Sequence, residues 1–178
     1  AVEGQEDVTI NDKFHLGSNT KSMTGTLLGV MVEKNHFNWN STLIESYPGL
    51  KMHKDFKNIT LVQLMRHYGG TTGSLDVTHQ KLWHKFFYMQ HEHINSAREQ
   101  RSLLATTILS EKPTFIPGTE FHYSNTGTTL VGLAIENKLN TTYEKLLKQH
   151  LFDELKMNTC GFGAPSTADQ FDQPRGHV

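Results

Sequence analysis

Ser18 and Lys21 stand three residues apart where a loop ending in Gly17 runs into a segment able to coil as a helix. A hydroxyl at the start of a helix lies at the positive end of the dipole, which favours negative charge growing on its oxygen. Side chains three apart on a helix share a face, with Cβ atoms about 5–6 Å from one another. A lysine held in a partly dry cleft gives up its proton more readily than one in water. Its neutral amine can then accept the hydroxyl proton, so the pair has the makings of a nucleophile and its base. The plainer reading is a serine N-cap followed by a solvated first-turn lysine. A bare Ser-x-x-Lys does not separate the two.

A second group lies about a hundred residues on. The turn Pro117-Gly118 leads through Thr119-Glu120-Phe121-His122 to Tyr123-Ser124-Asn125 and straight into another helical pattern. Tyr123 and Asn125 are two apart and share one side of an extended segment. A phenol near an ammonium has its pKa lowered and can exchange protons with a leaving group. A primary amide can hold a lysine and a substrate at once. The alternative is a packed tyrosine beside an asparagine that caps the helix.

The elements that must position these groups are mostly helical. Apolar positions at Met23, Leu27, Leu28, Val30 and Met31 predict a helix over 18–34. Thr60 and Gln63 have capping-box spacing ahead of a helix to His67, which Gly69 and Gly70 end. Ser96 and Glu99 open another to Leu109, with Leu103, Leu104, Thr107 and Ile108 near one face. Residues 126–139 carry Leu130, Val131, Leu133, Ala134 and Ile135, and Thr141 with Glu144 is expected to cap a last helix towards Leu155. Strand signals are confined to 7–10 and an extended piece at 121–123, and 82–89 reads ambiguously. The tail 160–178, rich in Gly and Pro, reads as loop. One domain over 1–178 is expected.

Composition narrows the partners. Apolar residues make up 36% and charged residues 20%, with a formal net charge of −1, the profile of an ordinary folded domain. That balance offers no electrostatic case for nucleic acid or an anionic membrane, and no apolar run is long enough to span a bilayer. The single Cys160 cannot form an internal disulfide. Eleven histidines would make the protein cationic in mild acid. His79, His84, His91 and His93 do not follow a zinc pattern, so neither a metal nor a cofactor is expected. Trp39, Trp83, Phe86, Phe87 and Tyr88 are read as core. The Asn40, Asn58 and Asn140 tripeptides match the glycosylation pattern, which arises easily by chance.

The string Gly17-Ser18-x-x-Lys21-Ser22-Met23-Thr24, followed by Phe121-x-Tyr123-Ser124-Asn125-x-Gly127, resembles the paired signature of class C β-lactamases and related esterases and D-Ala-D-Ala peptidases. Three further stretches agree. Leu64-Met65-Arg66-His67-Tyr68-Gly69-Gly70 is similar to the family's Leu-Leu-x-His-x-Ser-Gly turn, Glu136 follows Asn125 at the family's helical distance, and Leu151 to Thr159 is similar to its Leu-Gly-Met-x-x-Thr stretch. The resemblance covers residues 14 to 163. It implies that Ser18 is the acylated nucleophile and Lys21 its proton acceptor, with Tyr123 the partner acid/base and Asn125 the contact to lysine and substrate amide. Which of Lys21 and Tyr123 takes the first proton stays open.

The family's third motif, Lys-Thr-Gly or His-x-Gly on an edge strand that supplies an oxyanion donor, has no counterpart after Asn125; Gly176-His177 runs in the wrong order. Few residues precede Ser18. The expected fold is therefore mainly α: the helical subdomain of the β-lactamase/transpeptidase-like fold, with the central antiparallel sheet largely missing. The expected function is serine-dependent acyl transfer on a small-molecule amide or ester, whether β-lactam, D-amino-acid peptide or small ester. The rival expectation is a catalytically incomplete fragment or pseudoenzyme serving as a binding or assembly module. Family resemblance points to a periplasmic or secreted protein if a signal peptide was removed. Without the sheet, the faces carrying Leu27, Leu28 and Met31 and carrying Leu130, Leu133 and Ala134 are expected to lie open and to pair two copies as a homodimer.

Overall fold

The computed structural model describes residues 7–71, 96–168 and 172–174. Among these residues six α-helices follow one another: α1 (Asn19–Glu33), α2 (Leu43–Ser46), α3 (Leu61–Met65), α4 (Ala97–Ser110), α5 (Asn125–Leu139) and α6 (Tyr143–Leu147), the last running on into a wider π-turn over Lys148–Phe152. A 3₁₀ turn, Lys54–Phe56, lies between α2 and α3. No strand occurs among the described residues; the single antiparallel bridge joins Thr42 to Thr60.

Local chemistry accounts for the helix starts. The capping boxes Thr42/Glu45, Thr60/Gln63 and Ser96/Glu99 are all formed, the cap hydroxyl accepting the N3 amide and the N3 side chain accepting the cap amide. The Thr42–Thr60 bridge ties two of these caps together, with Leu43 N–H donating to Ile59 O at 2.8 Å and Leu61 N–H to Ser41 O at 2.9 Å. Two short helices, each too short to stand alone in water, thus brace one another.

Helix α5 is the axis of the molecule. It packs against α1, α2, α3, α4 and α6, and every residue from Thr126 to Glu136 is buried except the half-buried Thr129. Leu130, Val131, Ala134 and Ile135 are 0% exposed. A helix buried on all sides needs apolar residues on all sides, which explains its unbroken run. Where α5 passes α3, a Cβ on Gly127 would sit 3.1 Å from Leu64 O, so glycine sets the closeness of that crossing. One charge goes inside with it. Glu136 is fully buried and takes a two-pronged bond from Arg101 of α4, at 2.8 and 2.9 Å, plus the Tyr143 N–H at 2.7 Å. Arg101 also holds Glu144.

Five expectations need correction. Residues 7–10 are not a strand: the Asp12 carboxylate takes the Thr9 N–H and Thr9 O takes the Asp12 N–H, closing a turn. Thr142, not Thr141, caps the last helix, its hydroxyl accepting Lys145 N–H at 3.3 Å. On α4 the buried positions are Leu104, Ala105, Ile108 and Leu109, with Leu103 and Thr107 on the flank. Trp39 is 55% exposed rather than core. The faces expected to open onto a second copy lie inside the chain: Leu27, Leu28, Met31, Leu130, Leu133 and Ala134 form one core with Phe56, Leu61 and Leu64. The segment 82–89, Trp83, Phe86, Phe87, Tyr88 and the four histidines between 79 and 93 lie outside the described residues.

Candidate active site

Gly17, at φ +52, turns the chain into α1 and leaves Ser18 just ahead of the helix with φ −70 and ψ −7. Its hydroxyl makes no capping bond to the helix. The plain N-cap reading of Ser18 therefore fails, and Oγ is turned towards other partners. One turn along α1, Lys21 Nζ donates to Ser18 Oγ at 3.1 Å. From the start of α5, Tyr123 OH donates to the same Oγ at 2.6 Å. Lys21 Nζ also donates to Asn125 Oδ1 at 2.6 Å and lies 4.7 Å from the centre of the Tyr123 ring. All four residues singled out in the sequence meet at one point.

The entry to α5 is what aims Tyr123 and Asn125. Ser124 is its N-cap, with Oγ accepting the Gly127 N–H at 3.0 Å and bonding to Thr71 Oγ1 at 2.7 Å. Ser124 is extended, with φ −138 and ψ 120, so its neighbours point to one side while its own side chain goes inward. The alternation of a strand is achieved with no strand pairing. Packing of α1 against α5 then brings the two pairs together.

One contributor was not singled out as a site residue. His67, on the loop after α3, lays its ring 4.6 Å from that of Tyr123 and accepts the Ser124 N–H on Nδ1 at 3.1 Å. The available signal was its place in the Leu-Met-Arg-His-Tyr-Gly-Gly stretch.

Ser18 and Tyr123 face solvent, while Lys21 and His67 are half-buried. The Lys21 ammonium beside the hydroxyl, and then the bond to Ser18, hold the Tyr123 phenol below its ordinary range. Burial, and then the charge of Lys21, lower the basicity of His67. Among the described residues no acceptor meets the Ser18 N–H. Nor is there a group of three or more His, Cys, Asp or Glu able to hold a metal, or a helix long and apolar enough to cross a membrane. The arrangement offers a hydroxyl, a phenol made more acidic, a cation and an amide within hydrogen-bond reach of one another.

Comparison with known proteins gives the family and the fold. Protein flp of Staphylococcus aureus (strain MW2) is 25% identical over 152 residues, which cover 84% of this chain and 28% of that protein. The crystal structure of a D-stereospecific amidohydrolase from a Streptomyces species superposes with a TM-score of 0.65 at 25% identity, over 83% of this chain and 43% of that one. A class C beta-lactamase shares the fold, with a TM-score of 0.66 at 22% identity over 87% and 38% of the two chains. The chain thus spans less than half the length of each, and its helices are the helical part of their common fold. With residues 1–176 matching the Beta-lactamase family, the chain belongs to that family of serine-hydrolase type.

Proposed function

We propose that Ser18 is the nucleophile of an acyl-transfer reaction on an amide or ester, with Tyr123 as its proton acceptor. The observation that carries this reading is the convergence of Lys21 Nζ at 3.1 Å and Tyr123 OH at 2.6 Å on one serine oxygen. Lys21 Nζ bridges Ser18 Oγ and Asn125 Oδ1 and lies over the Tyr123 ring. Beside it the phenol, with its lowered pKa, is more readily ionised to act as the base.

In the proposed sequence, Ser18 Oγ attacks the carbonyl carbon as its proton passes to the Tyr123 phenolate. The tetrahedral centre collapses, the C–N or C–O bond breaks, and the leaving group takes that proton from Tyr123. Water attacks the resulting Ser18 ester, with its proton again accepted by the phenolate; the Ser18 Oγ–C bond then breaks, Tyr123 returns the proton to Oγ, and a carboxylic acid leaves. Lys21 stabilises the phenolate throughout. Asn125, with Oδ1 held by Lys21, keeps its NH₂ for a substrate carbonyl, and the Ser18 N–H is placed to serve the oxyanion. The Streptomyces relative is named for D-stereospecific amide hydrolysis, which makes a D-amino-acid amide the first substrate to try, beside a β-lactam and a small ester.

Intact mass after incubation with a fluorophosphonate or a penicillin tests the reading. A single adduct, mapped to Ser18 and missing in Ser18→Ala, is the expected result. No adduct with either probe overturns it and favours the non-catalytic binding module. Turnover of either substrate class, β-lactam or small ester, is expected to vanish in Ser18→Ala. Hydrolysis of nitrocefin and p-nitrophenyl butyrate measures that.

A further inference from the structure

We propose that His67 is a positioning residue that holds Tyr123 against Ser18 only while its imidazole is neutral, making the site self-releasing in acid. This rests on the reading of Tyr123 as proton acceptor.

His67 grips the chain on both sides of Tyr123. Its carbonyl accepts the His122 N–H at 2.8 Å, and its Nδ1 accepts the Ser124 N–H at 3.1 Å. Between these anchors the imidazole packs on the phenol, with centroids 4.6 Å apart and planes inclined by 41°. Phe121 closes the other side of the imidazole edge-on, with centroids 5.6 Å apart. The backbone of His67 is left-handed, at φ +65, a conformation that costs a non-glycine residue energy and persists only where surroundings enforce it. Here they do so through His67 N–H to Leu64 O at 3.0 Å, Tyr68 N–H to Gln63 O at 2.8 Å and Gly118 N–H to Tyr68 O at 2.7 Å. The loop is built to present this ring.

An Nδ1 that accepts an N–H must carry a lone pair, so the neutral ring has its proton on Nε2. Protonation would set one N–H against another and cancel the Ser124 anchor. The charges around the ring do nothing to help the imidazolium. Lys21 of α1 brings a cation to 4.7 Å from the centre of the phenol ring. Arg66 turns away over Tyr68, 5.7 Å from its ring centre, and Glu120 is taken by His122 at 3.1 Å. Among the described residues no carboxylate pairs with His67. A protonated His67 must therefore lose its anchor, and Tyr123 with it.

Two measurements on the whole chain test this. In ¹⁵N-labelled protein, the Ser124 amide and the Tyr123 ring resonances should move with the His67 titration, at a midpoint below the ordinary ~6.5, and stop moving there in His67→Asn. Asparagine suits the test because Oδ1 can accept in place of Nδ1, tolerates φ > 0 and does not titrate. In the second measurement, the rate of Ser18 labelling by a fluorophosphonate is followed against pH. Below the His67 midpoint the wild-type rate should depend on two protons rather than one, whereas His67→Asn should keep a one-proton dependence. His67→Phe, which fills space without accepting, should be about 10²-fold slower at pH 8, with His67→Asn between it and wild type. Ser124 and Tyr123 resonances indifferent to the His67 titration overturn the proposal. So does a two-proton limb that survives in His67→Asn. If Ser18 is never labelled, the function proposed above fails, while the resonances still decide the role of His67.

Discussion

Ser18 has two donors on one oxygen, and the proposed mechanism gives them different roles. Lys21 donates while also bonded to Asn125, whereas Tyr123 is held below its ordinary pKa chiefly by Lys21. Tyr123→Phe keeps the ring and removes the proposed proton carrier, so labelling of Ser18 should slow by about 10²–10⁴. The pH dependence follows from the sign of the shift. A base works when deprotonated, so the rate should rise with pH and level off below the ordinary phenol value of about 10. Lys21→Met should move that plateau upward as well as slow the reaction. An ultraviolet titration of Lys21→Met, differenced against the same variant carrying Tyr123→Phe, should show the phenol back in the normal range. A phenol unmoved by loss of Lys21 would contradict the cause assigned here.

Helices place these groups through their first turns. Ser124 caps α5 and thereby aims its two neighbours, and the crossing with α3 is set by Gly127 against Leu64 O. Gly127→Ala should destabilise the chain by about 1–3 kcal/mol through overpacking. It should also slow Ser18 labelling, because Tyr123 rides on the displaced helix start. At the other end of the chain, Thr142→Ala should cost about 1 kcal/mol for the lost cap. Thr141→Ala should stay within about 0.5 kcal/mol, as a surface change normally does. Urea midpoints of the two threonine variants compare them directly, and equal losses would put the cap in the wrong place.

For the molecule as a whole, stability concentrates around α5 and its buried carboxylate. Glu136 has 0% and Arg101 17% side-chain exposure. Arg101→Leu leaves the carboxylate inside without its partner and should cost about 3–5 kcal/mol, while adding Glu136→Leu should recover much of it. Acid should also weaken the fold. His67 and His150 both lie below the ordinary histidine range, each through burial first, followed by the charge of Lys21 for His67 and of Lys34 for His150. The unfolded chain therefore binds more protons once pH drops below about 6.5, and stability is lost as pH falls through the folded values. Glu45 acts only below the ordinary carboxylate range, so its window is separate. The urea midpoint should fall between pH 7 and pH 5, and by less in a His67→Asn, His150→Asn double variant.

Sequence by itself determined what local chemistry controls. The capping boxes at Thr60/Gln63 and Ser96/Glu99 formed as expected, because a Ser or Thr hydroxyl and a Glu or Gln three residues on satisfy each other's backbone partners with no help from the rest of the chain. Ser18 with Lys21 and Tyr123 with Asn125 were visible as pairs because each rests on a spacing of two or three residues, while the family resemblance set them apart from the plainer capping readings. Tertiary structure decided the rest. That the two pairs share one oxygen depends on α1 lying against α5, and no local rule reports a packing across a separation of 105 residues. Residues 7–10 have strand-forming side chains but no neighbouring strand among the described residues, so a turn wins. Leu27 and Leu130 were expected on open faces because burial depends on what the chain folds against, and α5 supplies that partner internally. His67 shows the boundary most sharply: its motif was visible, but its grip on Tyr123 exists only where a left-handed loop meets the start of another helix.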